Sequence, residues 1–156
     1  MFMKVKNSKY DITVNLVCII LLVGTMLYLG VNWNSISDKI PVHFNAIGVA
    51  DRWGNKGELL VLQIISWIMY LGMTAIEHYP QIWNTGVIVT EENKERVYRI
   101  LKNMLGTLKL TVVVVFMFLT INSALAQELP TWFLPIFLVL LFGPMIFFIK
   151  KLVRAK

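Results

Sequence analysis

The residues best equipped for chemistry lie in one stretch, Ile40 to Lys56, inside an otherwise oily chain. It holds one of the two histidines, two glycines, a proline and the charges Asp51, Arg52 and Lys56. His43 and Asp51 could serve as a general base and the carboxylate that orients it. They could also be two ligands of a metal, with Asn45 a weak and Glu58 a further donor. A closed zinc site wants four ligands, or three plus water, so no metal or cofactor is expected. Pro41 stiffens the start of the stretch. Gly48 permits a positive φ, so His43 and Asp51 can be folded toward each other, and Asp51 and Lys56 can pair. The structural alternative is that His43 and Asn45 hydrogen-bond the loop's own backbone, because non-helical backbone at membrane depth must be satisfied by protein. Contact with a small ligand or a peptide is compatible with that role. The sequence has no Ser-His-Asp set, HExxH, CxxC or phosphate-cradling glycine loop. No catalytic residue is therefore assigned, and a membrane-bound hydrolase using His43 and Asp51 is a secondary reading.

The elements that must position this stretch are membrane spans. Of 156 residues, 57% are hydrophobic and 15% charged, against roughly a quarter charged in an average soluble chain. The single cysteine, Cys18, lies in an apolar run, which excludes a disulfide framework. Its lysines and apolar run give the N-terminus a signal-peptide look, but the run is long enough to span and no small-residue cleavage site follows, so a retained anchor is expected. Four spans are predicted, at about 12–31, 59–76, 108–126 and 130–149, forming one all-α, polytopic domain over 1–156 with an extracytoplasmic loop between the first two. Asp11 is expected to cap the first span. Pro80 ends the second after Glu77-His78-Tyr79. Thr90 is the expected N-cap of the third helix, Asn93 breaking the capping box, with Glu92–Arg96 and Glu95–Arg99 as i,i+4 pairs. An unbroken helix of about 36 residues would be about 54 Å long, so its first half either projects beyond the membrane or lies along it with a bend near Gly106. Pro130 suits the first turn of the fourth helix, and Pro144 deprives the carbonyl of Leu140 of its partner, which predicts a kink.

Intramembrane polar residues are few. Gln63 and Ser66, three apart, share a face that should turn toward protein, and with Asn122 and Ser123 they are read as ties between helices. Glu77-His78 could form a proton relay, but their place at the membrane edge favours a solvated helix end, with Lys109 snorkelling to the same edge.

Twelve of the fifteen Lys and Arg fall in the N-terminus, the 77–109 segment and the C-terminus; Lys39, Arg52 and Lys56 fall on the opposite side. By the positive-inside rule both termini are cytoplasmic and the Ile40–Lys56 loop faces outward. The net charge of +6 thus reflects orientation rather than nucleic-acid binding.

The pattern P-x-H-F-N-x-x-G-x-x-D-x-W-x-x-K, carried by Pro41, His43, Phe44, Asn45, Gly48, Asp51, Trp53 and Lys56, resembles a domain of unknown function in small bacterial membrane proteins, which also forms the N-terminal part of SdpI-type immunity proteins. Tyr79-Pro80, Thr90-Glu91-Glu92-Asn93 and the Arg96-to-Lys109 helix extend the resemblance over about residues 12–126. Ile36-Ser37 departs from the family's Leu-Pro pair, and SdpI-type proteins carry further spans beyond this domain. The resemblance implies a non-enzymatic protein of the bacterial inner membrane, giving protection against a membrane-active peptide toxin on the outer face or sensing envelope signals. A cytosolic regulator would sit on the basic 91–109 helix. A transporter or accessory subunit is the competing class, and would show a polar path between the second and third helices.

Overall fold

The computed structural model describes residues 5–155; Lys4 and Lys156, counted in the charge asymmetry, lie outside them. Four helices are long and apolar enough to cross a membrane: α1 Lys9–Asn32, α2 Glu58–Glu77, α3 Lys94–Ala124 and α4 Phe133–Val153. The chain is a multi-pass helical membrane protein. The stretch between α1 and α2 is a two-stranded antiparallel sheet, β1 Lys39–Phe44 and β2 Ala50–Asn55, and not an irregular loop. The hairpin lies at one end of the bundle, and the start of α1 with the end of α4 at the other, hereafter the hairpin end and the terminal end.

Local chemistry corrects several expected boundaries. Ser8, not Asp11, caps α1: the Asp11 N–H donates to Ser8 Oγ at 3.3 Å and the Ser8 N–H to Asp11 Oδ2 at 2.7 Å, a reciprocal capping box. Asn93 does not break the turn before α3 but completes it. The Thr90 N–H donates to Asn93 Oδ1 at 2.8 Å and the Asn93 N–H to Thr90 Oγ1 at 3.3 Å. Helix α3 then runs unbroken for 31 residues past Gly106, about 46 Å, so no break at Gly106 is needed. Pro130 lies before α4 rather than in its first turn.

Helix α3 is the central post. It packs against α1, α2, α4 and β1. Val14, Cys18, Leu22, Tyr70, Val113 and Met117 fill the middle of the bundle. Leu29, Ile36, Ile40, Leu59 and Ala124 close the hairpin end, and Val97, Ile100, Leu101, Leu152 and Ala155 the terminal end. Helix α4 lies outermost: none of its apolar window is buried. Phe118 stacks on Phe133 at 5.2 Å, and the Thr111 hydroxyl donates to the Leu140 carbonyl at 3.4 Å. That carbonyl is the one Pro144 leaves without a helical partner.

Of the intramembrane polar residues, Gln63 does tie helices: its Nε2 donates to the Leu22 carbonyl of α1 at 3.0 Å. Ser66 and Asn122 bond locally instead, to the Leu62 carbonyl at 2.7 Å and the Gln127 carbonyl at 2.7 Å. Gln63 Oε1 is buried and has no partner. An unmet buried acceptor costs about 1–3 kcal/mol, against about 1 kcal/mol for an ordinary hydrogen bond. Gln63→Leu should therefore leave stability unchanged or raise it by about 1 kcal/mol. Thermal melting in detergent checks this; a clearly lowered melting temperature would show that Gln63 is a net stabilising tie.

Candidate functional site

The hairpin owes its shape to three local devices. At the turn, the Gly48 N–H donates to the Asn45 carbonyl and the Asn45 N–H to the Val49 carbonyl, each at 2.9 Å. The Asn45 side-chain oxygen accepts from the N–H groups of Ile47 at 3.1 Å and Val49 at 3.0 Å, the local capping at which Asn excels. Gly48 has φ +90, and a Cβ there would sit 2.2 Å from the Leu129 carbonyl oxygen. The Leu129 N–H in turn donates to the Gly48 carbonyl at 2.9 Å. The tip is thus clipped to the connection between α3 and α4 through a glycine that nothing larger can replace.

At the base, Lys56 does not pair with Asp51. Its ammonium bonds Asp38 at 2.9 Å and the carbonyls of Trp33 at 3.2 Å and Ile36 at 3.4 Å, over the Trp33 ring. One lysine therefore ties the end of α1 to the end of β2. Glu58 is also drawn in: its carboxylate lies over Gly54, where a Cβ would meet it at 2.0 Å, and 3.8 Å from Arg52. Ile40 and Pro41 are buried beneath the sheet.

His43 and Asp51 do come together. The strand ladder is irregular on both sides of His43, and such a bulge re-aims a side chain. His43 Nδ1 lies 2.5 Å from Asp51 Oδ1, with the two side chains 64% and 43% exposed. Asn45 bonds the loop's own backbone as expected; His43 bonds a side chain instead. Nε2 of His43 is left for another partner, which is what a base with its orienter, or a recognition pair, presents. Among the described residues no group of three or more His, Cys, Asp or Glu is disposed to hold a metal ion. Trp53 stands opposite Pro41 and is half-exposed. Beside the tip, an apolar groove of about 310 Å³ opens between Phe44 and Ile47 on the hairpin and Leu129, Pro130, Phe133 and Leu134 at the start of α4.

A second polar site escaped the sequence reading. Glu77 is not a solvated helix end and Lys109 does not snorkel. Lys109 is 0% exposed and donates to Glu77 Oε2 at 2.8 Å, Asn15 Oδ1 at 2.9 Å and Thr74 Oγ1 at 3.2 Å. All three ammonium protons are matched by oxygens from α1 and α2. Tyr70 OH also donates to Asn15 Oδ1, at 3.3 Å. One turn nearer the start of α1, Asp11 pairs with Arg99 at 2.8 Å and lies 4.0 Å from Lys102. Lys102 donates to the Val5 carbonyl at 3.0 Å and Asn7 Oδ1 at 2.7 Å. Arg99 also bonds the Lys6 carbonyl, and Arg96 the Ala155 carbonyl at 3.2 Å. These arginines therefore leave Glu92 and Glu95, their expected i,i+4 partners. The 91–109 segment turns Lys102 and Lys109 inward, holds Arg99 against Asp11, and exposes Arg96 alongside Glu91, Glu92 and Glu95. His78, by contrast, is exposed and bonds only the Thr74 carbonyl of its own helix.

Comparison with known proteins places the family described as "Domain of unknown function (DUF1648)" on residues 20–66, that is, the second half of α1, the whole hairpin and the first half of α2. An uncharacterized protein of Archaeoglobus fulgidus is 29% identical over 159 residues, spanning 91% of this chain and 85% of its own. No solved structure matches.

Gly48→Ala must break the clip to Leu129 and strain the backbone. A loss of about 1–3 kcal/mol is expected, read as a lower melting temperature in detergent. An unchanged melting temperature would mean that the tip is not held against Leu129.

Proposed function

We propose that this chain acts without catalysis as a protective protein of the bacterial cell membrane, of the kind that the SdpI-type motif implies. Its outward hairpin makes contact with a membrane-active peptide. The observation that carries this reading is a division of labour within the motif. Pro41, Asn45, Gly48 and Lys56 are spent on holding the hairpin, at its turn, tip and base. His43, Asp51, Arg52 and Trp53 are held out from it, exposed, and Phe44, next to His43 in β1, lines the apolar groove at the tip. A pre-organised set of aromatic and charged side chains next to an apolar recess suits recognition, because little ordering remains to be done on binding. The groove suits the apolar residues of an amphipathic peptide, and the His43–Asp51 pair and Arg52 its polar ones.

The orientation rests on the charge asymmetry: the terminal end is rich in Lys and Arg, which by the positive-inside rule puts both termini in the cytoplasm and the hairpin outside. The secondary hydrolase reading keeps one supporting observation, the orientation of His43 by Asp51.

Expression in a host sensitive to the secreted toxin peptide that SdpI-type proteins neutralise tests the role. Survival should rise with the native chain and return to the empty-vector level with His43→Ala or Trp53→Ala at equal membrane abundance. No gain in survival with the native chain would overturn the protective reading. The orientation is tested separately in a Cys18→Ser background. A membrane-impermeant maleimide added to intact cells should label Ala46→Cys and spare Lys151→Cys; the reverse pattern would invert the topology.

A further inference from the structure

Helix α4 starts deeper in the bundle than its neighbours at the hairpin end. Leu59, in the first turn of α2, packs in one cluster with Ala124 of α3, whereas Phe133, the first residue of α4, stacks on Phe118. The start of α4 is therefore displaced along α3 by about 9 Å toward the middle of the membrane. The span has no length to spare. From Phe133 to Ile149, before Lys150, it is about 25 Å long, less than the roughly 30 Å of hydrocarbon. Its first turn thus lies within the hydrocarbon, with the half-exposed Trp132 ahead of it at the interface. The hairpin tip, clipped to Leu129, roofs this turn, and the space between them is the apolar groove of about 310 Å³.

Leu134 joins that groove to lipid. It lines the groove, is exposed, and shares a helix face with the exposed Leu138 one turn on. The groove wall therefore continues onto a helix surface that the bundle leaves to lipid. Water has little to hold it there. Asn45 and Thr131 are the polar residues of the lining, and the Asn45 side-chain oxygen is already taken by the Ile47 and Val49 N–H groups. A trapped water needs about two to four polar partners, while an empty recess forfeits the contacts of its walls. The volume is that of a ligand site, at the lower end of the roughly 300–1,000 Å³ such sites span.

We propose that the groove is a phospholipid-binding site that takes one acyl chain from the leaflet at the hairpin end. The chain enters past Leu134 and lies under the tip, against Phe44, Ile47 and Phe133. Its headgroup stays at the level of Trp132. Because the lining is apolar, the site selects a chain and no particular headgroup. A peptide side chain that uses the same groove must displace the lipid. The site itself stands whether or not the hairpin meets a peptide.

The test reconstitutes the full chain in phosphatidylcholine vesicles, part of the lipid carrying a diazirine midway along one acyl chain. After irradiation, the labelled residues are read by peptide mass spectrometry. Adducts are expected at Phe44 or Ile47 as well as at Leu138, which surrounding lipid reaches in any case. Leu134→Trp fills the groove from its floor and should lower the tip adducts several-fold while Leu138 keeps its own. If that variant does not elute as a folded species in gel filtration, Ala46→Phe fills the groove from the tip and is read in the same way. A tip without adducts beside a labelled Leu138 overturns the proposal and leaves the groove to peptide side chains, with the protective reading untouched. Tip adducts that persist undiminished in the filled variant overturn it too, since they come from lipid outside the groove.

Discussion

An ammonium group placed among apolar helices must find an acceptor for every proton it carries, or it cannot stay there. Lys109 meets that condition with three oxygens from two other helices. The requirement propagates. Asn15 must face α3, which sets the rotation of α1 and sends its Nδ2 to the Asp11 carbonyl at 2.8 Å. Thr74 and Glu77 must face the same point, which sets the rotation of α2 and puts Tyr70, Ser66 and Gln63 on the interior face at helical spacing. In lipid there is no hydrophobic drive to choose between helix faces, so directional contacts of this sort decide which face turns in. Helix α4 shows the contrast. It has no charge in its apolar part, buries none of that part, and meets the bundle through stacked rings, one hydroxyl and, past its apolar part, Leu152 against α3.

The hairpin answers the same constraint for backbone rather than side chain. Irregular chain at a membrane surface needs its N–H and C=O groups satisfied by protein. Two paired strands do this for most of them, the Asn45 side chain serves the turn, and Leu129 serves the tip. Helix α2 joins the two systems. Its first residue, Glu58, packs on Gly54 of β2, and its last, Glu77, grips Lys109. A rigid element about 30 Å long therefore links the exposed motif to the buried charges.

Much of this was legible in the sequence because apolar runs of membrane length have few alternatives. Pro80 after α2, the four helices long enough to span, and the meeting of His43 with Asp51 emerged as the residues suggested, although α4 begins at Phe133 rather than at 130. The strands did not. Each is six residues long, Pro41 argues against a strand within it, and the alternation is blurred by burial against helix ends. Lys109 was misread because position along a helix was used without rotation about it. A lysine near a membrane edge can snorkel outward or turn inward, and only the oxygens on facing helices decide. One signal was available: Asn15, Thr74 and Glu77 lie at matching depths on neighbouring spans. Asn93 was misread because the capping box was expected to need Glu or Gln there, while the Asn side chain accepts from the Thr90 N–H; Leu129 carried no signal, since it clips the tip through its backbone N–H and carbonyl.

The buried pair is the claim on which the rest hangs, and a double-mutant cycle measures it most directly. With Lys109→Met, Glu77→Leu and the combination compared by unfolding in detergent, each single change should cost about 3–5 kcal/mol, because it strands a buried charge, and the combination should recover most of that loss. Two single losses that simply add would mean that Lys109 and Glu77 do not depend on each other, and the interlock of α1, α2 and α3 described above would be wrong.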